Sequence, residues 1–102
     1  MINIEKRVDK LVGAIKKEFN ITPSVDWFGD GITNTVYAQI SMEINLFADY
    51  DILVFIDVDE ENDFYRLCTT SKKKFYEGNA TYSNEKTRKT VKAVLNYIRS
   101  FI

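Results

Sequence analysis

The apolar residues of the first 19 positions recur at helical spacing. Six of them return every three or four residues: Ile4, Val8, Leu11, Val12, Ile15 and Phe19. This spacing places them on one stripe of an amphipathic helix, which we predict over residues 3–19. Asn3 is the expected N-cap, and Asn20 followed by Pro23 predicts the end of the helix.

The pattern then changes to a period of two, which is typical of strands. It predicts four strands over residues 24–28, 36–44, 51–57 and 64–70. Gly29, Asp30 and Gly31 predict a tight turn between the first two strands, and residues 59–62 predict a polar turn between the last two. The third strand is apolar on both sides, so it is expected inside the sheet.

A second helix is predicted from about residue 83 to the C-terminus. Ser83 is its expected N-cap, and its apolar stripe is Val91, Val94, Leu95, Ile98 and Ile102. The order helix, four strands, helix predicts a single globular domain over residues 1–102. The expected class is α+β: a four-stranded antiparallel meander flanked by an N-terminal and a C-terminal helix packed on one face, in the order α-β-β-β-β-α.

This arrangement predicts an open sheet face opposite the helices. If the helices cover the side of the third strand that carries Ile52, Val54 and Ile56, the other side stays uncovered. The side chains expected there are Tyr37, Leu53, Phe55, Tyr65 and Leu67. An exposed apolar patch of this kind marks a partner surface or a homodimer contact, or else it stabilises cross-strand pairing alone.

Composition adds a strong sorting of charge along the chain. Residues 20–63 contain ten carboxylates and no Lys or Arg, whereas residues 64–102 contain nine cations and two anions. Alternate turns of a meander meet at one end of the sheet. Seven carboxylates are therefore expected to gather there: Asp26, Asp30, Asp57, Asp59, Glu60, Glu61 and Asp63.

An acidic cluster of this kind suits a basic protein partner, because closely spaced carboxylates can occupy a groove built for nucleic-acid phosphates. Two structural alternatives remain open. The acids could be solvated turn residues that maintain solubility, or they could pair with the basic C-terminal helix.

The cationic part of the chain supports a second hypothesis, which is contact with nucleic acid. Its candidate residues are Lys72, Lys73, Lys74, Arg88, Lys92 and Arg99. Aromatic residues lie near them, as in proteins that bind single strands, but no nucleic-acid-binding motif is present. A solvated basic surface is the structural alternative.

The residue types needed for catalysis are scarce. The chain has no histidine, and its only cysteine, Cys68, lies within a predicted strand. It also lacks a glycine-rich phosphate loop, so we predict no catalytic residue, no metal site and no cofactor. A single cysteine and the absence of an apolar run of about 20 residues favour a cytoplasmic protein without a membrane span.

Together these features predict a small non-enzymatic binding protein. Its expected role is an inhibitor or adaptor whose acidic surface engages a basic, nucleic-acid-binding protein, as in an anti-defence protein of a phage or mobile element. The alternative is a nucleic-acid-binding or regulatory module that uses residues 72–74 and the C-terminal helix.

Overall fold

The chain folds into one antiparallel sheet with two helices on the same face, which confirms the predicted α+β class. The computed structural model describes residues 4–29, 36–47, 50–73 and 81–101. In chain order the elements are α1 (Ile4–Phe19), β1 (Ser24–Gly29), β2 (Val36–Phe47), β3 (Tyr50–Asp59), β4 (Tyr65–Lys73), β5 (Thr81–Tyr82), β6 (Lys86–Arg88) and α2 (Val91–Arg99). No helix within these ranges is both long and apolar enough to span a bilayer.

Strands β1 to β4 form the predicted meander, and two short strands extend it. Both β5 and β6 pair with β4, at different points along its outer edge: Tyr82 lies opposite Thr70, and Arg88 lies opposite Tyr65. The sheet therefore has six strands in the described residues rather than the four expected.

The start of the second helix was predicted wrongly. Helix α2 begins at Val91, and its N-cap is Thr90, whose hydroxyl accepts a 3.1 Å hydrogen bond from the backbone N–H of Ala93. The hydroxyl of Ser83 instead accepts the backbone N–H of Thr69 at 2.9 Å. Ser83 thus caps the sheet edge between β5 and β6, and the residues expected in the first helical turns pair with β4.

Helix α1 ends as the sequence predicted. Asn20 adopts the left-handed conformation (φ 56°), and its N–H donates to the carbonyl of Lys16 at 3.0 Å. Asparagine tolerates this conformation, which satisfies a carbonyl at the end of the helix. The expected N-cap, Asn3, lies outside the described residues.

The core lies between the helices and one face of the sheet. Ile40, Ile56 and Leu67 are opposite one another in register, so they form a continuous row across β2, β3 and β4. All three are fully buried, as are Leu11 of α1 and Ile98 of α2. Each such side chain contributes about 1.5–3 kcal/mol through burial.

Tyr65 and Leu67 were expected on the open face, and this was wrong. Because Leu67 lies opposite Ile56, it shares the helix-facing side, and Tyr65, two residues away, does the same. Tyr65 is only 4% exposed, and the Arg7 guanidinium of α1 lies 4.7 Å from its ring centroid. Both residues belong to the core.

Candidate protein-binding face of the sheet

The sheet has an open face, on the side away from α1 and α2. Four residues that lie opposite one another in register form a polar row across it: Asp26, Gln39, Asp57 and Arg66. Aromatic residues flank this row on both sides, with Phe28 and Tyr37 towards one end of the strands and Phe55 towards the other. The open face therefore carries two of the predicted acidic residues, Asp26 and Asp57, beside predicted aromatic ones.

The aromatic part of the open face is partly accessible to solvent. Phe28 stacks on Tyr37 with ring centroids 5.0 Å apart and an angle of 16° between the rings, yet 41% of Phe28 remains exposed. Leu53 is 37% exposed, and Phe55 is half-buried. The predicted placement of Tyr37, Leu53 and Phe55 is thus confirmed. Exposed large apolar side chains of this kind are typical of contact surfaces.

Asp57 occupies the centre of the polar row. Burial raises the pKa of its carboxyl group above the ordinary value, although a hydrogen bond from Gln39 and the charge of Arg66 act in the opposite direction. The Gln39 Nε2 to Asp57 Oδ1 distance is 3.2 Å. Arg66 lies directly opposite Asp57 but directs its guanidinium to Asp59, at 3.1 Å. The charge of Asp57 is therefore partly desolvated and forms no salt bridge within the described residues.

Asp59 has a structural role, contrary to its prediction as a partner-binding residue. Its carboxylate accepts the backbone N–H groups of Glu61 (3.0 Å) and Asn62 (2.7 Å), and also the Asn62 side-chain amide (2.9 Å). Burial alone would raise the pKa of Asp59, but these hydrogen bonds and Arg66 outweigh it and lower the pKa. The Asp59 side chain is only 8% exposed, and its carboxylate is occupied by these contacts within the protein.

The other predicted acids divide into three groups. Glu60 closes the end of the sheet, because its Oε1 accepts the backbone N–H of Val36 at 3.0 Å. Glu61 and Asp63 are exposed in the β3–β4 turn, and Asp26 is exposed on β1. Asp30 lies outside the described residues. Among the seven, Asp26, Asp57 and Asp59 are strand residues of the open face, and the carboxylate of Asp59 is occupied by the turn.

The five predicted nucleic-acid-binding cations that lie within the described residues are spread over separate parts of the fold. Lys72 and Lys73 lie opposite Asp51 and Tyr50 in the strand register, at one end of β4. Arg88 lies opposite Tyr65 at the other end, about 25 Å away at the ordinary rise of a strand. Arg99 forms a salt bridge with Glu18 of α1, and Lys92 is exposed on α2. Lys74 lies outside the described residues.

Several residues of the open face were missed by sequence reasoning. Phe28 and Arg66 belong to it, and the period of two in β1 could have identified Phe28. Gln39 shares the period of two with Tyr37, but it was not predicted as a site residue. Trp27, on the opposite side of edge strand β1, is 48% exposed and was also missed. The position of Arg66 depends on the β3–β4 register, which the local pattern does not reveal.

The open face also contains Cys68, next to Phe55 in register. Burial raises the pKa of its thiol, and the nearby carboxylates of Asp57 and Glu85 raise it further. The thiol is therefore protonated at neutral pH, a form that is a poor nucleophile.

The described residues contain no cluster of three or more side chains that could hold a metal ion. Comparisons with protein-family models, curated proteins and solved structures found no match.

Proposed function

We propose that the protein is a non-enzymatic binding protein that engages a basic protein partner through the open face of its sheet. The observation that carries this proposal is the position of Asp26 and Asp57. They lie in one row across the sheet, with aromatic side chains on both sides. A single Lys or Arg side chain of a partner could therefore contact both a carboxylate and an aromatic ring.

The electrostatics of Asp57 support a cationic partner. Its charged form is disfavoured by burial, and the nearest cation, Arg66, is already paired with Asp59. A charge that destabilises the free protein is typical of a functional position. A partner Lys or Arg placed over the polar row would offset this penalty and would also interact with the exposed Asp26.

The aromatic side chains favour an arginine as the central contact. A guanidinium can stack on Phe28 or Phe55 while it donates to the carboxylate of Asp57. Arginine is also enriched among the residues that dominate interface affinity. The exposed Leu53 extends the apolar contact along β3.

A protein that handles nucleic acid presents such basic residues in its phosphate-binding groove. Occupation of that groove by the open face would give the protein an inhibitor or adaptor role. An anti-defence protein of a phage or mobile element would act in this way, and the cytoplasm is the expected location.

The experiment is affinity capture from cell extract, followed by a binding measurement with the purified partner. The test variant is Asp26→Asn with Asp57→Asn, and the matched control is Asp9→Asn with Asp63→Asn, which removes the same charge elsewhere. We expect a basic protein that binds the wild type and the control but binds the test variant about tenfold or more weakly, as two contacts of about 1 kcal/mol each would give. Binding should also weaken with salt. Equal binding to both double variants would refute the proposal.

A second copy of the chain is the other occupant that the sequence predicted. Two open faces would bring like charges together, so removing Asp26 and Asp57 should strengthen a dimer rather than weaken it. Sedimentation velocity on the wild type and the test variant therefore distinguishes self-association from binding of a basic partner.

A further inference from the structure

A second surface lies on the other side of the sheet, between β6 and one flank of α2. It is an open groove of about 530 Å³, which we call the β6–α2 groove, and its polar and aromatic lining consists of Lys86, Arg88, Asn96, Tyr97, Ser100 and Phe101. We propose that this groove binds the phosphate group of a small phosphorylated ligand. The inference is independent of the open face, so either proposal can fail without the other.

Two cations dominate the β6–α2 groove. Lys86 and Arg88 are two residues apart on β6, so their side chains point to the same side of the sheet. The Lys86 Nζ lies 6.0 Å from the ring centroid of Tyr97, and the Arg88 Cζ lies 5.9 Å from it. Neither forms a salt bridge within the described part of the chain. Glu85 interacts with Asp57 and Cys68, so its charge lies towards the open face.

The helix dipole balances only part of this positive charge. The groove runs along the C-terminal half of α2, where the dipole is equivalent to about half a negative charge. Two full positive charges therefore remain largely uncompensated. Their mutual repulsion in the free protein would be relieved by a bound anion.

The remaining hydrogen-bonding groups of the groove are mainly donors. Asn96 accepts a 2.6 Å hydrogen bond from Arg99 through Oδ1, so its amide nitrogen is the group left to donate. Ser100 is the exception, because its hydroxyl already donates to the Tyr97 carbonyl at 2.5 Å and can only accept from a ligand. Arg88 uses Nη1 on the Thr87 carbonyl at 2.7 Å, and its other guanidinium nitrogens remain as donors.

An ammonium, a guanidinium and an amide thus line one groove that has no carboxylate in its lining. The complementary ligand is an anion with several acceptor oxygens, and a phosphate group can accept from all three donors. The Tyr97 and Phe101 rings, in edge contact at 5.2 Å, form an apolar wall on one side of the groove.

The distribution of charge favours a small ligand over a nucleic-acid strand. A strand needs cations at successive phosphates. Here the cationic lining ends at Lys86 and Arg88, and the Arg99 charge is paired with Glu18. A phosphate monoester matches a site with two cations.

The test is an NMR titration of the ¹⁵N-labelled protein with inorganic phosphate at constant ionic strength. We expect saturable shifts at Lys86, Arg88 and Asn96 in the wild type. The variant Lys86→Gln with Arg88→Gln should bind phosphate about tenfold or more weakly. The control, Lys89→Gln with Lys92→Gln, removes the same charge and should bind like the wild type. No saturable shifts, or equal weakening in both double variants, would overturn the proposal.

Two further ligands define the chemistry. If adenosine monophosphate binds more tightly than phosphate and adds a shift at Phe101, the ligand is a nucleotide. If the two bind with equal affinity, the groove recognises the phosphate group alone. Succinate that binds as tightly as phosphate would overturn the assignment. Asn96→Asp, on the exposed flank of α2, provides a second test if the double variant does not fold, because a carboxylate in the groove should abolish phosphate binding.

Discussion

Asp59 provides the most direct test of the fold. Its carboxylate organises the β3–β4 turn through four hydrogen bonds, two from the backbone N–H groups of Glu61 and Asn62 and two from the side chains of Asn62 and Arg66. Asp59→Asn keeps Oδ1 as an acceptor for the backbone, but it places an NH₂ group against two donors at the Oδ2 position. Asp59→Ala removes all four hydrogen bonds and leaves the donors without a partner.

The expected magnitudes follow from these contacts. A hydrogen bond contributes about 0.5–1.5 kcal/mol net, and the contribution of Arg66 is at the low end because that side chain is 35% exposed. We therefore expect Asp59→Asn to lower the free energy of unfolding by about 2 kcal/mol and Asp59→Ala by about 3–4 kcal/mol. Most domains of this size have a stability of about 5–15 kcal/mol, so both variants should fold.

Urea denaturation followed by circular dichroism measures these differences. Asp63→Asn is the matched control, since it makes the same chemical change at an exposed acid of the same segment, and it should alter stability by less than about 0.5 kcal/mol. A loss for Asp59→Asn no larger than for Asp63→Asn would refute the assignment of Asp59 as the organiser of the turn.

The pH dependence gives an independent check. The pKa of Asp59 is lower in the folded protein than its ordinary value of 3.8, so its ionised form stabilises the fold above that value. This stabilisation is lost as the pH falls through the lowered pKa of the folded state. The gap between the wild type and Asp59→Asn should therefore be constant near neutral pH and should narrow below about pH 4. A gap that does not change with acidification would contradict the proposed interactions.

Three other changes test the remaining assignments by the same denaturation measurement. Asp57→Asn should stabilise the protein at pH 7, because burial raises the pKa of Asp57 and its negative charge therefore destabilises the fold above that pKa. This gain in stability should disappear as the pH falls towards the ordinary pKa of 3.8. A variant that is less stable than the wild type at pH 7 would contradict the assignment. Thr90→Ala should lower stability by about 1 kcal/mol through loss of the N-cap of α2, and a loss equal to that of the exposed Thr22→Ala would contradict the cap. Tyr65→Ala should lower stability by about 3 kcal/mol because Tyr65 is buried, and Phe28→Ala by about 1 kcal/mol because Phe28 is exposed. A larger loss of stability for Phe28→Ala than for Tyr65→Ala would show that Tyr65 does not face the core.

Hydrophobic periodicity was sufficient to predict α1, the four strands of the meander and the helix-facing side of β3. Each of these depends on a local pattern: a stripe at spacings of three and four, or an alternation that places Val54 and Ile56 on one side. Residues that share such a pattern lie on one side of their element and are buried together in the core, so the pattern predicts the fold. The α+β class followed from their order.

The errors occurred where local patterns compete. The residues after Ser83 were predicted as helix, although Lys86 and Arg88 would have placed cations at the positive end of its dipole. The structure resolves this conflict, since both residues lie in β6 and α2 begins only at Val91. An available strand edge on β4, which depends on the tertiary fold, outweighed the capping signal of Ser83.

The position of Tyr65 depended on a similar non-local feature. Strand β4 carries large side chains on both sides, so its pattern does not say which side faces the helices. The β3–β4 register decides it by placing Leu67 opposite Ile56, and the turn that sets this register is organised by Asp59. Asp59 therefore stabilises the turn between the two strands, and these hydrogen bonds cannot be read from the local sequence pattern.

Nearby backbone donors decide which acids of residues 20–63 remain available for a partner. In the β3–β4 turn, backbone N–H groups lack strand partners, and Asp59 accepts those of Glu61 and Asn62. Glu60 accepts the N–H of Val36 at the start of β2. Within a strand, the neighbouring N–H groups belong to the sheet ladder, so a carboxylate there has no local backbone donor. Asp26 and Asp57 are in this position, and side chains or a partner must supply their hydrogen bonds. A binding function is therefore inferred from Asp26 and Asp57 rather than from the acids of the β3–β4 turn.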